Sequence, residues 1–395
     1  MITSPNNRLH FLDAIRAFAI IMMLQGHFVY TLLADEYRDT SNTIFNIWEY
    51  FRGMTAPTFF TITGFIFTFL LLKQGTIGID NPRVLKGVKR AIKVILWGYL
   101  LRLSLYALYA GGVNPSFYYV DVLQCIGTSL LLLIGIYLIA SKYGVVFFQN
   151  TILVIGTVIF LLQPMYEACI LEFLPKTIAN YFTHTNGSIF TIFPWFGYVC
   201  FGGFMASLFL KYLKQKDFYR YAIMVYLLAG FVLMYFSSSL LMSLHDITSL
   251  EIFKSVAYNN FLFIRLGNVC VLFAVFIILR NLVSHPVVTK VGGKTLSIYI
   301  LHFFILYGSW FEFGLNRFFY RALAPTEALV GALLFVIGIC ALVLYYFKYQ
   351  SELKLLLHNL LEVFYKKTSI NFSNISTTIK DNMVRSYKKI RYNKR

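Results

Sequence analysis

Charge is scarce in this chain. Of its 395 residues only 13% are Asp, Glu, Lys or Arg, while 58% are hydrophobic and 18% aromatic. Soluble domains carry about 25% charged residues, so a water-soluble globule is excluded and a polytopic membrane protein is expected. Acids are scarcer still, 17 against 35 Lys and Arg, for a formal net charge of +18. Cysteine is limited to Cys125, Cys169, Cys200, Cys270 and Cys340. These are odd in number, scattered and without paired spacing, which argues against a disulfide framework and a zinc site and favours small packing residues. There is no serine elbow and no dense acid cluster of the kind that holds a metal, so no metal is expected. No internal repeat is strong enough to name. The long soluble stretches of a folded outer domain are missing too, since the longest outer connection, residues 164–191, is under thirty residues.

Hydrophobic runs are what the chain does have. Ten candidate spans are expected, at residues 11–34, 52–72, 91–110, 122–141, 145–163, 190–210, 221–241, 259–279, 295–311 and 328–347. Each approaches the roughly 20 residues that cross a hydrocarbon core, although the ninth is short. Sorted by these spans, 26 of the 35 Lys and Arg residues fall on the side shared by the two termini and five fall in the opposite loops. That asymmetry predicts cytoplasmic termini and explains the basic charge as a topology signal, which sets nucleic-acid binding aside. The first run is too long, and too polar at Arg16 and His27, for the apolar part of a signal peptide, so a retained span is expected. The expected organisation is an all-α helical bundle over residues 1–347 and a cytoplasmic tail over 348–395. In that tail Leu353, Leu356, Leu357, Leu360, Leu361 and Phe364 recur at helical spacing, as in an interfacial amphipathic helix. The basic end that follows is suited to anionic membrane lipids.

Ionisable groups inside spans are costly and point to function. The first span carries Asp13, Arg16, Gln25 and His27. Arg16 and His27 are eleven positions apart, close to three helical turns, so they share one side of the helix about 16 Å apart along its axis. Arg102 is expected midway through the third span, where it faces a watery interior or pairs with an acid. Arg265 is expected in the outer half of the eighth span, and His302 on the ninth. Glu49 and Arg52, three residues apart, pair with each other or face a cavity. Trp195 opens the sixth span among aromatics. Lys89, Arg90 and Lys93 crowd the most basic inner loop, whose ordinary reading is a solvated surface. Its functional reading is a mouth that attracts a polyanion. Lys290 and Lys294 flank Gly292 and Gly293, a phosphate seat if a helix begins there.

Two chemistries fit this inventory. Histidine can take a proton from an acceptor hydroxyl or amine near neutral pH, and arginines in a dry site can hold phosphate or stabilise an oxyanion. Group transfer through the membrane uses both. A proton-coupled transporter or flippase of an anionic or lipid-linked solute would use the same residues, although such proteins commonly show repeats and helices broken at the midplane. A purely structural or sensory membrane protein leaves the polar groups without a purpose.

Motifs separate these readings. Arg8 through Ala19, with Asp13, Arg16 and the later Gly26–His27, resembles the opening signature of polytopic membrane acyltransferases. It is similar both to the acyltransferase type-three family and to the heparan-alpha-glucosaminide N-acetyltransferase-like family. Thr55 to Phe60 with Gly64, Asp121 to Gly127, and Phe193 to Gly197 favour the second. The run Val291 to His302 is similar to a late motif of the superfamily. The resemblance covers roughly residues 8–345 in motif order. It departs from the second family's usual pattern at Ala17, where a Gly is common, and at Cys125, where a basic residue is common. It implies an enzyme that takes an acyl group, usually acetyl, from cytoplasmic acyl-CoA and passes it to a sugar or glycolipid acceptor on the far side of a bacterial cytoplasmic membrane. His27 matches the family's functional histidine and Arg16 the motif's arginine. Whether the histidine is a general base or carries the acyl group stays open at this level. His302, Arg102, Arg265, Glu49 and Trp195 are then candidates for the acceptor, and Lys89, Arg90, Lys93, Lys290 and Lys294 for the donor's phosphates.

Overall fold

The computed structural model describes residues 9–167, 171–355, 358 and 362. Cys169 and most of the expected amphipathic tail helix lie outside the described residues. The chain divides into two compact units, residues 1–340 and 341–395. Helices dominate the described residues, and the one β-contact recorded among them is an isolated parallel bridge between Leu33 and Leu323.

The helices that build and surround the site are α1 (His10–Leu32), α2 (Thr43–Arg52), α3 (Thr55–Leu72), α4 (Pro82–Leu101), α5 (Val122–Ala140), α6 (Val145–Leu161), α7 (Ile192–Tyr212), α8 (Phe218–Tyr235), α9 (Phe261–Ile278), α10 (Pro286–Gly293) and α11 (Thr295–Tyr307). A further helix, Pro325–Leu355, contains the boundary between the two units. Among the described residues, seven helices are long and apolar enough to cross a membrane, or eight when the bent pair α10 and α11 is counted as one span. That is fewer than the ten expected from hydropathy. At 17 residues α6 is a shorter apolar helix. The expected third span at 91–110 corresponds to α4, which starts earlier, at Pro82, and stops at Leu101. The boundary is set locally. Asn81 caps the start by accepting from the Arg83 amide at 3.0 Å, and Pro82 suits the first helical position, where an N–H has no partner anyway. This moves Arg102 from mid-span to the helix end.

Small residues set the crossings. α3 and α7 touch backbone to backbone, for a Cβ on Gly64 would lie 2.0 Å from the Val199 carbonyl oxygen and one on Gly202 would lie 1.9 Å from that of Thr61. Apolar association has no water to drive it inside lipid, so close packing of this kind carries the contact. Phe60, Phe65, Phe160 and Tyr198 are fully buried around it.

The second close approach positions the site. A Cβ on Gly292 would lie 1.9 Å from the Asp13 carbonyl oxygen, so α10 lies directly on the first turns of α1. Gly292 therefore serves the contact with α1, and Gly293 closes α10. α11 begins after a 70° bend, with Lys294 at the break and Thr295 as its first residue.

Candidate active site

The far end of α1 is held as firmly as its start. The last carbonyls of a helix lack partners within it, and here each finds one outside. The Arg321 amide donates to Thr31 O at 3.2 Å, and the amides of Ala322 and Leu323 donate to Leu32 O at 3.0 and 2.9 Å. The Arg38 guanidinium bonds the carbonyls of Tyr30 and Leu33. Arg321 is itself fixed by Asp35, with Nη1 2.9 Å from both carboxylate oxygens, and this hydrogen bond raises the Arg321 pKa above its ordinary value.

One cavity of about 370 Å³ runs between α1, α3, α4, α5 and α11. Arg16, Arg90 and Thr295 line it toward one end, while His27, Arg52, Asp121 and Trp195 line it toward the other. Between them its wall is apolar, with Ile20, Ile62, Ile66, Val94, Leu123 and Ile126 among the lining side chains. Two polar ends joined by an apolar passage suit an elongated substrate better than a compact ion.

At the first end, the Arg16 Nη2 donates to the Thr295 hydroxyl at 2.9 Å, and its Nη1 lies 3.8 Å from Asp13. Thus the start of α11 and the motif arginine of α1 form one group. At the other end, the His27 Nδ1 lies 3.2 Å from the Tyr307 hydroxyl, which in turn lies 3.3 Å from the Thr31 hydroxyl. His302 meets His27 edge to face, ring centroids 5.4 Å apart. It is fully buried, and neither of its ring nitrogens has a hydrogen-bond partner of normal geometry.

Asp121 uses both carboxylate oxygens. Oδ1 accepts from the Val122 amide at 2.8 Å and Oδ2 from Arg102 Nη2 at 2.8 Å. The Gln124 side chain accepts from the Asp121 amide at 3.2 Å, which completes a reciprocal cap on α5. Arg52 lies between aromatic faces, 4.3 Å from the Tyr30 ring centroid and 5.5 Å from that of Trp48, with Nη2 3.2 Å from Glu49. Trp48 is fixed by donating to Gln25 at 2.8 Å. Trp195 stacks on Phe60 at 5.1 Å and packs on Phe190 at 4.9 Å, which gives the cavity a flat aromatic wall.

Of the residues singled out in the sequence, Arg16, His27, Arg90 and Trp195 line the cavity directly. His302 reaches it through His27, Glu49 through Arg52, and Arg102 through Asp121. Arg265 sits behind Gly53, a lining residue, donating to the Tyr50 carbonyl at 2.8 Å with its guanidinium over the Tyr50 ring. Lys89, Lys93 and Lys290 are exposed and Lys294 is half-buried, and none of the four lines the cavity. Arg52, Asp121, Thr295 and Tyr307 were not singled out as site residues. Asp121 did carry a signal, the Asp-x-x-Gln cap before an apolar run, whereas Tyr307 lies 280 positions from His27 and had none.

No curated protein matches the chain. The family model described as heparan-alpha-glucosaminide N-acetyltransferase, catalytic, matches residues 8–243. The matched stretch includes Arg16, His27, Arg52, Asp121 and Trp195, while Thr295, His302 and Tyr307 join them from beyond it. Because the match covers more than half of the chain, the protein belongs to the heparan-alpha-glucosaminide N-acetyltransferase family.

Proposed function

We propose that the protein is a multi-pass membrane acyltransferase that moves an acetyl group from cytoplasmic acetyl-CoA to an amino or hydroxyl group of a sugar or glycolipid on the opposite side of a bacterial cytoplasmic membrane. The observation that carries this reading is the single cavity shared by Arg16 and His27. Their separation, about 16 Å along α1, suits a donor that is anchored at one end and reacts at the other. The excess of Lys and Arg in loops on the Arg16 side supports a cytoplasmic donor. There Arg90 and the neighbouring Lys89 and Lys93 of α4, with Lys290 and Lys294 of α10, would draw in the phosphates of the donor. At the other end Trp195 offers an aromatic face for a sugar ring, and Asp121 and Arg52 offer hydrogen bonds to its polar edge.

In the step itself, a nitrogen or oxygen of the acceptor attacks the thioester carbonyl carbon while His27 takes its proton. The C–S bond then breaks, and the CoA sulfur leaves with that proton, which returns His27 to its starting state. Transport alone requires no donor, so the test is direct. Purified protein in lipid nanodiscs is given radiolabelled acetyl-CoA and a panel of amino sugars and glycolipids, with His27→Ala alongside. Label transferred by the native chain and lost in the variant, with the variant's thermal unfolding unchanged, supports the reading. Transfer that persists in His27→Ala removes the site assignment, and proton-driven uptake with no donor requirement removes the enzyme.

A further inference from the structure

A histidine that removes or relays a proton through Nε2 needs its other nitrogen protonated and held, for the two ring nitrogens of a neutral imidazole have opposite roles. In many enzymes a carboxylate does the holding. Here the partner of His27 Nδ1 is a phenol, that of Tyr307 at 3.2 Å. The Tyr307 hydroxyl has its own outlet in the Thr31 hydroxyl at 3.3 Å, so it can accept from His27 and still place its proton. Thr31 is one helical turn beyond His27 on α1, and its side chain is buried.

The surroundings fix both partners. Tyr307 is the last residue of α11, whose end is made by Gly308 at φ 80°. Just past it, Ser309 donates to the Leu101 carbonyl at 2.7 Å and Trp310 to that of Leu100 at 2.6 Å, which ties this corner to the end of α4. Thr31 has its own carbonyl bonded by Arg321. His302 closes the remaining side of the His27 ring without a hydrogen bond between them.

We propose that Tyr307, backed by Thr31, is the positioning residue of His27, accepting from Nδ1–H so that Nε2 is the nitrogen left free for the acceptor. The proposal rests on His27 being the proton-transfer group of the function proposed above. The direction of the relay is His27 Nδ1–H to Tyr307 Oη, then Tyr307 O–H to Thr31 Oγ1. The opposite direction would place the proton on Nε2 and leave no free nitrogen for the acceptor.

The experiment uses the full chain in nanodiscs and reads three quantities, namely kcat, KM for acetyl-CoA, and the protonated nitrogen of His27 by 15N NMR, assigned by difference from His27→Ala. Tyr307→Phe lowers kcat on the order of 100-fold while KM for the donor stays within about twofold. Thr31→Val lowers kcat less, and Thr31→Ser, which keeps the hydroxyl, restores it. The native chain carries the His27 proton on Nδ1. A proton on Nε2 in the native chain, or an unchanged kcat in Tyr307→Phe, overturns the proposal. If Tyr307→Phe does not fold, the native NMR signal and the Thr31 pair decide. Transfer that survives His27→Ala instead overturns His27 as the proton-transfer group on which the proposal rests, a result distinct from either.

Discussion

Asp121 and Arg102 form an ion pair 2.8 Å long that joins the start of α5 to the end of α4 at the His27 end of the cavity. Their side chains keep only 14% and 12% exposure, so either charge would have little water to fall back on. Removing one partner of a buried pair costs about 3–5 kcal/mol because the other charge is stranded. Partial exposure places this pair toward the lower end. Asp121→Asn, which keeps the shape and loses the charge, should lower thermal stability in nanodiscs by about 3 kcal/mol. The double variant with Arg102→Gln should recover part of that loss. Equal or additive losses would mean that the pair is not coupled.

Gly292→Ala tests the seat of α1. The added Cβ would meet the backbone carbonyl of Asp13, which cannot swing aside as a side chain could. α10 must move away from α1, and Thr295 must move with it, losing its 2.9 Å bond to Arg16. Overpacking of this kind costs about 1–3 kcal/mol. The expected result is a lower yield of folded protein and a raised KM for acetyl-CoA. A variant that unfolds and turns over like the native chain would disprove the contact.

How far the sequence reached depends on which interactions are local. Apolar runs, the Arg16 to His27 spacing and the Glu49 to Arg52 pair are all short-range, and each was legible. Helix ends were less so. Hydropathy alone carries the third span on to residue 110, because Leu103, Leu105 and Leu108 look like continuing core, whereas the start is set by the local Asn81–Pro82 cap. The Gly292–Gly293 pair reads in the sequence as a phosphate seat, and nothing in the chain announces that the Asp13 backbone lies against Gly292. The sequence puts His302 on the ninth span among the acceptor candidates, and the fold stands it beside His27, 5.4 Å between centroids. Tyr307 could not be found, since its role depends on the 70° bend that aims α11 at the end of α1.

The Arg321 to Asp35 contact makes a narrower prediction. Arg321 carries positive φ, at 51°, and its amide rather than its side chain bonds Thr31 O. The side chain contributes by holding the loop through Asp35, in an exposed setting where an ion pair contributes little by itself. Arg321→Gln should therefore leave global stability close to that of the native chain. It should also speed amide hydrogen exchange at residues 321–323. An exchange rate equal to that of the native chain would show that the clamp holds without the pair.

The Arg16 end of the cavity offers the sharpest comparison of charge with geometry. Arg16 reaches Thr295 with one terminal nitrogen while the other lies 3.8 Å from Asp13. A lysine would keep the positive charge but has no planar fork with which to serve two partners at once. If Arg16 receives the donor as a shaped group, Arg16→Lys should raise KM for acetyl-CoA about tenfold, the loss of one hydrogen bond to a charged group. In that case kcat at saturating donor stays near the native value, since the proposed reacting atoms lie three turns away at His27. If Arg16 acts only as a point charge, the lysine variant keeps the native KM, and Arg16→Gln alone raises it. Thr295→Val separates the two further. It removes the partner that orients the guanidinium but leaves the charge, so under the shaped-group account it should raise KM in the same direction as the lysine variant and by a smaller factor. A drop in kcat with KM unchanged in these variants would move Arg16 from donor binding to the chemical step.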